Sequence, residues 1–153
     1  MLTTATHLRD QLLELDNDLG GLPGRRVALL GFRDPNPKRV DDNLRALRDA
    51  SGWAVVDLRD APSVPLPAAL TETIAAPKLV LILNVASALP RDAAMLIRAL
   101  HDSRDSVDWS DGTDSELPED RMLYVVAAGA RSVEELPPLL QRIDFMTFIR
   151  PRE

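Results

Sequence analysis

The chain predicts an α/β fold: a three-layer sandwich with helices on both faces of a five-stranded, mainly parallel sheet. Three observations carry this. Five short runs, at 27–30, 53–58, 79–83, 123–128 and 145–149, are apolar almost throughout rather than alternating, the pattern of strands buried on both faces. Patterns with helical spacing lie between them, and strand–helix alternation with right-handed crossovers builds such a sandwich. Finally, 153 residues, 45% hydrophobic and 27% charged, suffice for one domain with its own core. No internal repeat or long linker divides the chain.

The elements follow in order. Leu8, Leu12, Leu15 and Leu19 share one face of a helix over 4–19. Gly20 and Gly21 stop it, and Pro23-Gly24 turns the chain. Residues 1–24 are thus an N-terminal helix and linker ahead of a core at 25–151. The first strand, 27–30, ends in Gly31 and leads into the polar loop Arg33-Asp-Pro-Asn-Pro-Lys38. Val40, Leu44 and Leu47 mark a helix closed by Gly52. The second strand is 53–58, and Leu66, Leu70 and Ile74 mark a helix between Pro65 and Pro77. The third strand, 79–83, precedes a helix opened by Pro90, where a missing N–H costs nothing. Leu96 and Leu100 face the core from it. Residues 102–120 read as a long acidic loop, beyond the usual connection length and so mobile or functional. The fourth strand, 123–128, is followed by Ser132-Val-Glu-Glu135, a capping-box pattern, with Pro137 and Pro138 limiting its helix. The fifth strand is 145–149.

Composition narrows the function. A net charge of −6 and a pI near 4.9 disfavour a nucleic-acid partner, which needs a basic footprint. The absence of cysteine removes disulfides, thiolate metal sites and a Cys nucleophile. Two histidines, His7 and His101, are too few for a His-based metal site, so no metal is expected. His101 in a last helical turn suits the dipole, and His7 reads as exposed. No signal-peptide pattern and no apolar run of membrane-spanning length occurs, which makes a cytoplasmic location, without a membrane partner, the expectation.

The phosphate-binding loop G-x-x-x-x-G-K-[ST] wraps phosphates with glycine N–H groups, a lysine and a hydroxyl. After the first strand, Gly31 occupies its first place. Asn36 stands at the second glycine, Pro37 at the lysine and Lys38 at the hydroxyl. Two prolines remove backbone donors and Asp34 adds a repelling charge. A dinucleotide fingerprint fails as well, because glycines are missing at Arg33 and Asn36. Asp41-Asp42 suits a helix N-terminus.

From Arg25 to Pro151 the order and spacing of these segments resemble the AAA+ ATPase core, a P-loop NTPase-like fold, and its MoxR-like branch in particular. VALLGFRDPNPKR resembles the strand and P-loop. LVLILNVASALP resembles the Walker B strand, and Leu117-Pro118 the end of an insertion. LYVVAAGARSVEELPPLLQRIDF resembles the fourth strand, Leu-Pro segment and arginine-finger region, with Glu135-Leu136-Pro137, Leu140, Arg142, Asp144 and Phe145 in the family's order. The resemblance implies strand order 5-1-4-3-2. It places Asn84 at the Walker B acid, Val85 at the catalytic glutamate and Gly129 near the sensor-one polar residue. The helical lid of the family would follow the fifth strand, where only Arg150-Pro-Arg-Glu153 stands. Arg142 falls at the arginine-finger position; a helix-end arginine pairing with Asp144 is the bland alternative.

The resemblance thus implies an AAA+-like pseudo-ATPase domain without cofactor, not an enzyme, serving as a protein-interaction or regulatory module. Its partner would be a second copy, an active AAA+ ATPase or an effector. The alternative is a switch that binds ATP or GTP through Arg33, Lys38 and Arg39 without efficient hydrolysis. An unrelated α/β enzyme would use the strand ends near Asn84, Asp57 and Gly129. The acidic loop fails the EF-hand count back from Gly112. Its Trp109 either anchors a partner or folds onto the core.

Overall fold

The computed structural model describes residues 4–19, 26–32, 38, 41–43, 45, 53–59, 68, 78–85, 88–117 and 122–149. The main strands are β1 (Arg26–Phe32), β2 (Ala54–Asp57), β3 (Lys78–Asn84), β6 (Met122–Ala128) and β7 (Phe145–Ile149); β4 (Ser106–Asp108) and β5 (Asp114–Glu116) form a separate pair. Two α-helices have bounds among the described residues, here α1 (Thr4–Leu19) and α2 (Arg91–His101). The five main strands pair in parallel in the order β2-β3-β6-β1-β7. Numbered among themselves, that is the 5-1-4-3-2 order expected.

Apolar residues run through the central strands because both faces are buried, and successive side chains alternate between two cores. Val27, Leu29, Leu79, Leu81, Leu83, Leu123, Val125 and Ala127 face α2, with Leu96, Ile97 and Leu100 upon them. Ala28, Leu30, Phe32, Val80, Ile82, Tyr124 and Val126 face α1, which contributes Leu12 and Leu19. Helix, sheet and helix make the three layers.

An isolated helix of 16 residues is marginal in water, so α1 depends on its docking. Burial of Leu12 and Leu19 contributes roughly 1.5–3 kcal/mol each. A polar clasp fixes the register: Asp16 accepts from both the Tyr124 hydroxyl and the Lys78 ammonium. Trp53 stacks on Tyr124 at 5.1 Å, with Lys78 over its ring at 5.2 Å. Burial, then the Asp16 carboxylate, raises the Tyr124 phenol well above its ordinary range.

At its other end α2 closes with a Schellman motif. Arg104 N–H reaches Ala99 O at 2.9 Å and Ser103 N–H reaches Leu100 O at 3.2 Å, with Ser103 at φ 56°. A serine thus holds the left-handed place that glycine usually takes.

Three expectations are corrected. The segment 102–120 is not simply a solvated acidic loop: β4 and β5 pair antiparallel within it. The capping box does not form. Ser132 makes no side-chain cap, and Glu135 accepts instead from the Arg131 N–H at 3.0 Å. Pro137 and Pro138 leave two 3-10 turns, Val133–Glu135 and Leu140–Arg142, in place of a helix. Asn36, Pro37, Arg33, Arg39, Val40, Leu44, Leu47, the helix around Leu66, Leu70 and Ile74, Pro118 and residues 150–153 lie outside the described residues. Lys38, Asp41, Asp42, Asn43, Arg45 and Ala68 are helical.

Candidate functional site

In an open parallel sheet ligands bind beyond the C-terminal strand ends, where connections diverge. Here the chain leaves β1 toward β2 and leaves β6 toward β7, so the divergence lies between β1 and β6. Gly31 sits inside β1, one residue from its end, paired to Ala127 on one side and Phe148 on the other. A Cβ there would fall 2.3 Å from the Phe148 ring. Gly31 is therefore a strand residue that makes room for Phe148, and β1 runs on through Phe32.

Two backbone bonds extend the sheet past its nominal end. Val85 N–H donates to Ala128 O at 3.0 Å, and Gly129 N–H donates to Phe32 O at 2.8 Å. Gly129 has φ 89°, a conformation that disfavours any side chain. The Val85 methyl lies 3.2 Å from where its Cβ would be. The residue expected near a sensor position is thus a glycine for backbone reasons. Asn84 is exposed at the end of β3, and Val85 is half-buried.

Asn84 and Val85 border a shallow groove completed by Leu58, Leu89, Leu136 and Leu140. Its volume is about 10 Å³, room for about one water. Its lining is almost wholly apolar, and it offers no carboxylate.

Asp57, at the end of β2, is engaged by Arg59. The guanidinium donates to both carboxylate oxygens, at 2.9 and 2.6 Å, and also reaches Asp41. Asp57 first, and Asp41 after it, hold Arg59 more firmly in its charged form, against partial burial. This clasp ties the helical residues after β1 to the neighbouring strand end. It also engages Asp57, the one carboxylate in the candidate enzyme set of Asp57, Asn84 and Gly129. Nothing in the local pattern around Arg59 announces the clasp; its partners are 2 and 18 residues away.

Trp109, expected as an exposed anchor or a core residue, is core: 3% exposed, with its Nε1–H on Ser115 Oγ at 2.9 Å. Val107 and Leu117 are buried beside it. Asp92, in the first turn of α2, accepts from Ser110 N–H and Oγ–H at 2.9 Å each. Asp111 caps the turn through the Thr113 hydroxyl and amide, which hold its carboxyl below the usual range. Arg142 is exposed at the end of the second 3-10 turn, and Asp144 is exposed beside it. His101 is exposed against Asp102, and the side chain of His7 lies outside the described residues. Among the described residues no cluster of His, Asp and Glu is placed to hold a metal ion. Nor is any helix among them long and apolar enough to cross a membrane.

No protein-family model and no curated protein matches the chain. A solved structure does: a lysine-to-arginine mutant of RuvB from Thermotoga maritima, 15% identical, with a TM-score of 0.50. The match covers 97% of this chain and 46% of that one, so the chain spans less than half of the structure it resembles. The likeness is one of fold: a P-loop NTPase-like α/β core. The five-stranded parallel sheet and its order agree with that likeness.

Proposed function

We propose that this AAA+-like domain is non-catalytic and acts as a protein-interaction or regulatory module, on a MoxR-like pattern of segments. One observation carries the reading. Where the family's resemblance calls for an acid pair, Asn84 and Val85 stand, and the sheet ladder continues past them through the Val85 and Gly129 amides. Phosphoryl transfer relies on positioned charge: a metal held by acids, a lysine and a polar water-positioning residue. The strand ends supply an amide, a methyl group and a glycine. The partner would be another copy, an active AAA+ ATPase or an effector, with the exposed Arg142 one contact toward it.

Calorimetric titration with ATP–Mg²⁺, followed by a turnover assay, tests this. The expected result is no turnover and no stabilisation, since a ligand that binds only the native state must raise stability. Binding without turnover would instead favour a nucleotide switch built on the loop before Lys38. Turnover lost on Lys38→Ala would overturn the non-catalytic reading.

A further inference from the structure

The hairpin between α2 and β6 shapes a second depression. It lies between α2 and β4, lined by Met95, Arg98, Ala99, Arg104, Ser106 and Asp108, with Val107 beneath, and has a volume of about 220 Å³. That is below the ~300–1,000 Å³ typical of small-molecule sites, but it suits side chains delivered by an extended peptide.

The hydrogen-bond register supplies the second element. Trp109 N–H pairs with Thr113 O and Leu117 N–H with Asp105 O. With Val107 opposite Ser115, residues 105, 107 and 109 turn their backbone groups toward β5. In an antiparallel pair the intervening residues then turn theirs outward. Ser106 and Asp108 therefore present N–H and C=O groups on the side of β4 away from β5, an edge with no strand partner among the described residues, and both line the cleft. An open strand edge is a template for a further strand.

Rigidity is the third element. Val107, Trp109 and Leu117 root the hairpin in the core, and the Asp92–Ser110 bonds pin its turn to α2. The edge is thus held in place before any partner arrives, which lowers the ordering cost of binding.

Charge and shape choose the occupant. Within a chain of net charge −6, this cleft carries exposed Arg98 and Arg104 with one acid, Asp108, in its lining, over a floor of Met95, Ala99 and Val107; Arg104 also lies 3.9 Å from Asp102 outside the lining, an exposed contact that a partner carboxylate can replace. A strand presents alternate residues to opposite sides. We infer that the α2–β4 cleft binds an extended partner segment alternating apolar and acidic residues, which adds as a strand to the edge of β4. Apolar side chains meet the floor, carboxylates meet Arg98 and Arg104, and main-chain bonds form at Ser106 and Asp108. The inference names the partner chemistry of the interaction module proposed above and rests on that reading for its purpose. Peptide binding and nucleotide turnover are separate readouts, so each can fail alone.

The test is NMR titration of the isotope-labelled full chain with a blocked synthetic peptide alternating valine and glutamate. A peptide with lysine for glutamate and a short oligothymidine serve as comparisons. The expected result is saturable shifts at the Ser106 and Asp108 amides with the glutamate peptide alone. Arg98→Glu with Arg104→Glu should weaken binding by about tenfold or more. Asp108→Pro removes one outward N–H while sparing the ladder to β5, as proline is tolerated on an open edge. It should abolish the shifts with the fold intact by circular dichroism. If that variant fails to fold, the double arginine variant decides. Equal binding of the lysine peptide, the same shifts with oligothymidine, shifts on concentrating the protein alone, or no response at Ser106 and Asp108 would overturn the inference.

Discussion

The ends of β3 and β6 and the β4–β5 hairpin sit on the same domain but are held in opposite ways. At the strand ends the backbone does the holding: Val85 and Gly129 continue the ladder, and apart from Asn84 the side chains are small or apolar. The hairpin has a ladder of three residue pairs and depends on particular side chains, chiefly Trp109 and Asp92. At the strand ends the lining is largely apolar; where an acidic loop was expected, the chain has an ordered strand pair and a cleft with two exposed arginines. A region stripped of polar groups can remain rigid, because main-chain bonds are indifferent to side-chain identity.

That contrast can be broken in four places. Trp109→Ala should have the largest effect, about 3–5 kcal/mol for a buried aromatic. Hydrogen exchange should show the hairpin amides losing protection first, while Val85 and Gly129 stay protected. Simultaneous loss in both regions would mean that the hairpin is part of the sheet's own cooperative unit.

Gly31→Ala strikes the other region. The added methyl meets the Phe148 ring, and overpacking of that kind costs about 1–3 kcal/mol. Adding Phe148→Leu should restore part of the loss in a urea unfolding series. No loss at all would show that β7 yields freely beside β1.

Asp92→Ala removes the acceptor of two bonds from Ser110. Because Ser110 is exposed and water can replace the carboxylate, about 1–2 kcal/mol is expected rather than the full penalty of a buried orphan. Faster exchange at the Ser110 amide, with the strand ends unchanged, would sharpen the contrast. The smallest effect is a gain. Ser103→Gly relieves a left-handed serine and should raise stability by about 1 kcal/mol, seen as a higher Tm. A lower Tm would mean that the serine side chain contributes more than its backbone costs.

Much of the sheet was legible. Runs such as 79–83 and 123–128 can only be satisfied by burial on both faces, and that dictates a covered parallel sheet. The hairpin was also written in the sequence, but in a different period. Ser106-Val-Asp-Trp109 alternates polar and apolar residues ahead of Asp111-Gly112, a hairpin signal that the abundance of acids obscured, while Asp114-Ser-Glu-Leu117 has a single apolar residue and left the second strand unmarked. The capping box failed for the opposite reason: Ser132 and Glu135 match the pattern, yet the two prolines that follow leave no helix to cap.

By itself, then, the sequence determined the layers, the five strands and the identity of the groups at the end of β3, because burial patterns and residue chemistry are local facts. Only the tertiary structure decided that Gly31 yields space to Phe148, that Arg59 closes on Asp57 and Asp41, and that Trp109 is buried. It also decided that Ser106 and Asp108 offer an open edge beside Arg98 and Arg104. Each of these depends on residues distant in sequence, or on which side of a ladder a backbone group faces. Contact and register of that kind exist only once the chain has packed.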